Sequence, residues 1–212
     1  MPVVKSTAGL RHTARTVPWH PMVIATVVGA TVVASGHARL VVIPTTLLAA
    51  AAGFAFDDPS HETLAASPSS LIRRRLGRLI VVIPPTIIVW ATLVSQGVSG
   101  IDETLTLVAM FAGLVGLTLG IAGVAAHRTG GRGGAVASPV LLLALIISAL
   151  FPPHWRPLPL GDVPGGWPAL QARWSTAAAI GTLVLLASCR DPARRRLLRY
   201  PTDRPGTGRQ HV

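Results

Sequence analysis

Charged residues are scarce in this chain of 212 residues: 8 Asp and Glu stand against 19 Lys and Arg, and together they make up only 13%. Soluble domains carry roughly 25% charged residues, so this composition excludes an ordinary water-soluble globule. The single cysteine, Cys189, excludes an intramolecular disulfide, and no cluster of Cys and His has the spacing of metal ligands. We therefore expect neither a metal nor a cofactor.

The net charge of +11 does not indicate a nucleic-acid binder, because the basic residues lie between long uncharged blocks instead of along one exposed stripe. A helix rises 1.5 Å per residue, so about 20 apolar residues cross the roughly 30 Å of hydrocarbon in a bilayer. The uncharged blocks, with flanking interfacial residues, predict an all-α polytopic membrane protein whose six-helix bundle has spans near 18–37, 39–56, 77–99, 103–126, 135–153 and 172–189. The first, second and sixth blocks are short, and one of them is alternatively re-entrant.

The first hydrophobic block has a second interpretation as a cleaved signal peptide. Basic residues at Lys5, Arg11 and Arg15 precede its apolar core, and small residues at Gly36 and Ala38 have the spacing of a cleavage site. Cleavage would leave five spans and place the mature N-terminus outside the cell. Both interpretations stay open at the level of sequence.

The distribution of basic residues predicts the orientation, because Lys and Arg in short loops stay on the cytoplasmic side. With the N-terminus inside, only Arg39, Arg156 and Arg173 of the 19 bases face outward. Segments 1–17 and 190–212 are then cytoplasmic, in the plasma (cell inner) membrane. Two arginine clusters are expected to contact the anionic lipids of the inner leaflet: Arg73, Arg74, Arg75 and Arg78, and Arg194, Arg195, Arg196 and Arg199.

The loop after the second span contains the acidic residues Asp57, Asp58 and Glu62, with Pro59 among them. Asp58 before Pro59 is typical of a helix N-cap followed by proline in the first turn, which predicts short cytoplasmic helices. One hypothesis makes this element a docking site for a cytoplasmic partner. The alternative is that it is only a solvated loop whose neighbouring arginines set the topology. A magnesium-diphosphate site is disfavoured because no other inside loop has a second acidic cluster.

Four glycines in the fourth span, Gly113, Gly116, Gly120 and Gly123, are spaced 3, 4 and 3 residues apart. This spacing places them on one helical face, where a neighbouring backbone can approach closely. The predicted partner is either another helix of this chain or a second subunit of a homo- or hetero-oligomer.

The spans contain few groups that carry chemistry. Proton relays and ion-coupled transporters place ionisable groups at depth, and the uncharged blocks have none. The glycine-rich run 129–134 lacks the Lys-Ser/Thr ending of a phosphate-binding loop, so it predicts a flexible inside turn. We therefore expect no enzyme and no nucleotide site, and any energy for transport has to come from another polypeptide.

This layout resembles the membrane subunits of type-2 ABC exporters, and the Asp-Asp-Pro and Arg-Arg-Arg runs are similar to those of small actinobacterial membrane proteins that accompany ABC ATPases. Segment 59–66 occupies the place of the family's coupling helix, and segment 152–173 that of its re-entrant outer helices. The resemblance implies a permease-like subunit that moves an amphiphilic or peptide-like solute with ATP hydrolysis on a separate ATPase subunit. The alternative is an assembly or accessory subunit of a larger membrane complex.

Overall fold

The computed structural model describes residues 14–36, 41–57, 71–96, 98, 100–152, 155–156, 158 and 166–189. Within these ranges the chain is helical and forms no β-strand, which confirms the predicted all-α class. The helices in chain order are α1 (His20–Ala34), α2 (Val42–Ala52, continued by a 3-10 turn at Gly53–Phe56), α3 (Leu71–Ser95), α4 (Ile101–Arg128), α5 (Gly133–Leu150) and α6 (Gly166–Ser188).

Among the described residues, three helices are long and apolar enough to cross a membrane: α3 from Arg75 to Ser95 with 21 residues, α4 with 28 and α5 with 18. They correspond to the predicted spans at 77–99, 103–126 and 135–153. The apolar helices α1, with 15 residues, and α2, with 11, are shorter. Helix α6 has 23 residues but begins at Gly166, so it includes Gln171 and Arg173 in its first half. Six spans therefore stay a prediction.

Apolar side chains cover much of the outer surface of the helices. Ile24 on α1, Ile88 on α3, Ile146 on α5 and Leu183 on α6 are each more than half exposed. Monomeric soluble proteins rarely expose apolar surface that extends over several elements. This surface is consistent with lipid as the surroundings of the bundle.

The glycine face of α4 packs against α6. Gly113 lies beside Trp174, Gly116 beside Ala178, Gly120 beside Gly181, and Gly123 beside Ser188. Residue numbers rise together along both helices, so α4 and α6 run parallel. A Cβ atom on Gly120 would lie 2.8 Å from the carbonyl oxygen of Gly181, and one on Gly181 would overlap the backbone of Gly116. The two backbones are therefore in contact, as small residues permit.

Aromatic and aliphatic side chains fill the space between the other helices. The rings of Trp90 on α3 and Phe111 on α4 stack with centroids 4.6 Å apart and planes 9° from parallel. Leu48, Leu114 and Leu141 place side chains from α2, α4 and α5 in the same core, each at most 1% exposed. If lipid surrounds the bundle, these side chains stabilise it by close packing, because acyl chains are as apolar as leucine.

Most buried hydroxyl groups in this core bond to their own helix. Thr45, Thr86 and Thr118 donate to the carbonyl oxygens of Val41, Val82 and Leu114 at 2.7–2.8 Å. Three bonds of these hydroxyl groups in the middle of the bundle join described helices: Trp90 Nε1 donates to Thr45 Oγ1 at 3.1 Å, Gln171 Nε2 donates to Thr106 Oγ1 at 3.2 Å, and Ser138 Oγ donates to the Ala50 carbonyl at 2.7 Å. The threonines thus satisfy their hydrogen-bonding capacity without opening a polar path between the helices.

The contact between α4 and α6 predicts a large difference between two glycine-to-alanine substitutions. Gly181→Ala forces the helices apart and should destabilise the protein by about 1–3 kcal/mol, the usual range for overpacking. Gly77→Ala is the matched control, since a Cβ atom there meets nothing within 4 Å and alanine favours the helix by about 0.5–1 kcal/mol. Thermal unfolding in detergent should show a lower midpoint for the first variant only. Equal midpoints for both variants would contradict the backbone contact.

Candidate functional site: the polar end of the bundle

One end of the bundle, here called the polar end, gathers Asp57, Arg75, Arg78, His127 and Ser188. Asp57 follows the 3-10 turn after α2, and its Oδ1 accepts hydrogen bonds from the backbone N–H groups of Gly134 at 2.6 Å and Ala135 at 3.3 Å. These N–H groups belong to the first turn of α5, which has no partner for them in its own helix. Asp57 is therefore a tertiary N-cap of α5, where the helix dipole also favours an anion.

Glycines allow the start of α5 to reach Asp57. A Cβ atom on Gly134 would lie 2.6 Å from the carbonyl oxygen of Gly53, so only glycine fits against the 3-10 turn. The preceding turn uses Gly130 and Gly131 at φ values of 60° and 92°, a region that side chains disfavour. The glycine-rich run predicted as a flexible turn thus makes a tight connection between α4 and α5.

Arg78 on α3 also bonds to Asp57. Its side chain is 8% exposed, and its Nη1 donates to the backbone carbonyl oxygen of Asp57. Arg132 pairs with Asp57 in an isolated backbone bridge. Burial raises the pKa of the Asp57 carboxyl above its ordinary value of 3.8, against the opposing effects of the Gly134 and Ala135 N–H groups and of both arginines.

Arg75, one turn earlier on α3, hydrogen-bonds to the C-terminal end of α6. Its Nη1 donates to the Ser188 carbonyl oxygen at 2.8 Å and to Ser188 Oγ at 3.3 Å, and its Nη2 reaches the Gly123 carbonyl at 3.4 Å. The guanidinium also lies 5.2 Å from the centre of the Phe56 ring. His127 Nε2 contacts the same Ser188 carbonyl at 2.6 Å. The Arg75 guanidinium thus satisfies a carbonyl oxygen that the end of α6 leaves without a partner in its own helix.

These contacts correct part of the expectation for the basic residues. Arg75 and Arg78 were expected to face lipid phosphates, but both guanidinium groups turn inward to backbone carbonyls. Their spacing of three residues places them on one helical face, a signal that sequence reasoning did not use. The remaining members of the two clusters, Arg194, Arg195, Arg196 and Arg199 and the side chains of Arg73 and Arg74, lie outside the described part of the chain.

The structure removes one residue from the hypothesis of an acidic docking site for a cytoplasmic partner. Asp57 is engaged with the first turn of α5, so its carboxylate is not a free acidic contact for a partner. Asp58, Pro59 and Glu62 lie outside the described residues, and the hypothesis now depends on them. Within the described ranges, no three His, Cys, Asp or Glu residues lie together in a way that could hold a metal ion.

Two open pockets mark the sides of the bundle. The first, of about 320 Å³, lies between α2 and α5, and its wall is almost entirely apolar, with Ile43, Leu47 and Leu142 among its residues. The second, of about 590 Å³, lies near the start of α6 at the opposite end from Asp57. It combines apolar residues with two arginines, Arg156 and Arg173.

Comparison with protein-family models, curated proteins and solved structures found no match for this chain.

The cap on α5 predicts distinct effects for two substitutions of Asp57. Asp57→Ala removes the cap and should lower the free energy of unfolding by about 0.5–2 kcal/mol, whereas Asp57→Asn keeps an oxygen acceptor. Because the folded-state pKa is raised, the native protein binds this proton more tightly than the unfolded chain does. The stabilising contribution of that proton is present below the unfolded pKa and is lost as pH rises through the folded pKa.

The stability of the wild-type protein relative to Asp57→Asn should therefore decline from pH 3.8 upward until the carboxyl is fully ionised in both states. Unfolding at several pH values in the same detergent measures both effects. A wild-type protein that gains stability over Asp57→Asn across this window would show that the cap and the arginines outweigh burial.

Proposed function

We propose that this chain is a non-catalytic membrane subunit that assembles with other chains in the bilayer and stabilises a larger complex. The observation that supports this proposal is the interior of the described helices, which is filled by apolar side chains such as Leu48, Leu114 and Trp174. The buried threonine hydroxyls are bonded to their own helices, which leaves them unavailable to line a path for a polar solute. A scaffold needs a rigid interior of this kind, while a pore needs polar groups that face a cavity.

In the proposed arrangement the chain has six spans, with both termini in the cytoplasm of a cell bounded by a plasma membrane. The basic residues support it: they are concentrated in segments that this arrangement places inside. Tryptophans support it as well, since Trp19 precedes α1 at the polar end, and Trp155 and Trp167 lie exposed near the other end. Tryptophan prefers the interface between lipid and water, so these positions suit the two membrane surfaces.

A second candidate is the permease-like subunit of an ABC-type export complex, driven by a separate ATPase. The pocket of about 590 Å³ favours it, because two arginines beside apolar residues suit an amphiphilic solute that enters from the side. In this arrangement the path for the solute runs between this chain and a second membrane subunit, and the filled interior is no obstacle. Docking of the ATPase would use Asp58 and Glu62, because Asp57 is engaged with α5.

The proposed orientation is tested at the two ends of α4. In a Cys189→Ser background, Ile101→Cys and Thr129→Cys place one thiol at each end of the same helix, and both positions are exposed. We expect a membrane-impermeant maleimide to label Ile101→Cys in intact cells and Thr129→Cys only after permeabilisation. The reverse pattern would invert the topology, and labelling of both in intact cells would remove the membrane span.

Purification from native membranes tests the choice between the two candidates. A scaffold should copurify with other membrane subunits, and its loss should reduce their abundance. A permease-like subunit should copurify with an ATPase whose turnover falls at least about tenfold without this chain, a difference of about 1.4 kcal/mol. Asp58→Arg with Glu62→Arg should release that ATPase, while Asp102→Arg with Glu103→Arg at the opposite end serves as the control. Recovery of the chain alone and intact from mild detergent would contradict both candidates.

A further inference from the structure

The pocket near the start of α6 has two cationic groups and an apolar wall. Leu117 from α4 and Ala172, Ala177 and Ile180 from α6 form the wall together with Leu158, and Thr176 lies among them. Arg156 and Arg173 complete the lining, and no acidic residue is present among these described lining residues. Two guanidinium groups without a carboxylate between them favour an anionic occupant.

The guanidinium groups are available to such an occupant. Arg156 uses Nε to donate to the Phe151 carbonyl oxygen at 3.0 Å, which orients its side chain and leaves its two terminal nitrogens directed elsewhere. Arg173 has no partner among the described residues, and its side chain is exposed. A planar guanidinium matches the oxygens of a phosphate group in a bidentate manner.

The depth of Arg173 follows from the parallel pairing of α4 and α6. Arg173 immediately precedes Trp174, which packs on Gly113, and Gly113 lies twelve residues after Ile101, the start of α4. At 1.5 Å per residue this is about 18 Å along the helix axis. If α4 crosses the bilayer, the backbone of Arg173 therefore lies deeper than Trp167, six residues earlier on α6, and an arginine at that depth needs an anion or a path to water.

We infer that this pocket binds one anionic phospholipid of the outer leaflet, with its phosphate between Arg156 and Arg173 and an acyl chain along Leu117 and Ile180. A free phosphate ion would satisfy the arginines but would leave the apolar wall exposed. A neutral lipid would cover the wall but would bring no net charge to two cations. The inference rests on the proposed orientation in the membrane, but it is the same for a scaffold and for a permease.

Photo-crosslinking with phosphatidylglycerol that carries a diazirine in its acyl chain tests the inference on the full chain in nanodiscs. Peptide mapping should find the lipid on segment 172–180, and Arg156→Gln with Arg173→Gln should lower that yield about tenfold at subsaturating lipid, which corresponds to about 1.4 kcal/mol. Crosslinks at the polar end are the internal reference and should not change. Arg15→Gln with Arg128→Gln, both exposed at that end, is the matched control.

Competition separates the sources of the anion. Unlabelled phosphatidylglycerol should displace the probe, whereas phosphatidylcholine and inorganic phosphate at the same concentration should not. Ala177→Trp fills the apolar wall and should reduce the crosslink while both arginines remain. An unchanged yield in the double arginine variant, equal displacement by phosphatidylcholine, or displacement by inorganic phosphate would each overturn the inference. Circular dichroism and gel filtration verify that the variants are folded, and Arg173→Lys should retain an intermediate yield.

Discussion

The contact between the backbones of α4 and α6 is the constraint on which the remaining structure depends. It exists because glycine occupies Gly116, Gly120 and Gly181, so that no Cβ atom separates the helices. The contact sets the register of α6, and the register in turn brings Ser188 beside Gly123 and within reach of Arg75. At the other end it determines the depth of Arg173. Packing of small residues thus positions the polar groups at both ends of the bundle.

Charged residues gather at the polar end because backbone groups at the ends of helices lack partners in their own helix. Outside water, each such group needs a partner, because an unsatisfied polar group is costly in an apolar environment. Asp57 supplies the acceptor for the start of α5, and Arg75 and His127 contact the end of α6. The charges match the helix dipole, with Asp57 at the N-terminus of α5 and Arg75 at the C-terminus of α6. Charged residues here complete the hydrogen bonding at the ends of helices.

The sequence predicted the helical class, the positions of the three long apolar helices and the shared face of the α4 glycines, because these depend on local composition and periodicity. It did not predict that Arg75 and Arg78 turn inward or that Asp57 caps α5. Those contacts join residues far apart in the chain, such as Arg75 and Ser188, and no single segment contains the information. The start of α6 at Gly166 was also not predicted. The sixth span was placed at 172–189 because the uncharged stretch begins after Arg173, whereas the helix includes Arg173 and begins seven residues before it.

The short length of α1 has a consequence for the lipid around it. Its 15 residues extend about 22 Å, less than the roughly 30 Å of hydrocarbon in an average bilayer. Helices α3 and α4 are long enough to match the full thickness. Gly29 of α1 packs beside Leu93 of α3, so a short and a long apolar helix lie side by side. In the proposed membrane arrangement, acyl chains beside α1 would compress or splay to cover its ends, at a fraction of a kcal/mol per Å. In that arrangement the bilayer would be thinner beside α1 than beside α4, and the chain would favour thin membrane regions.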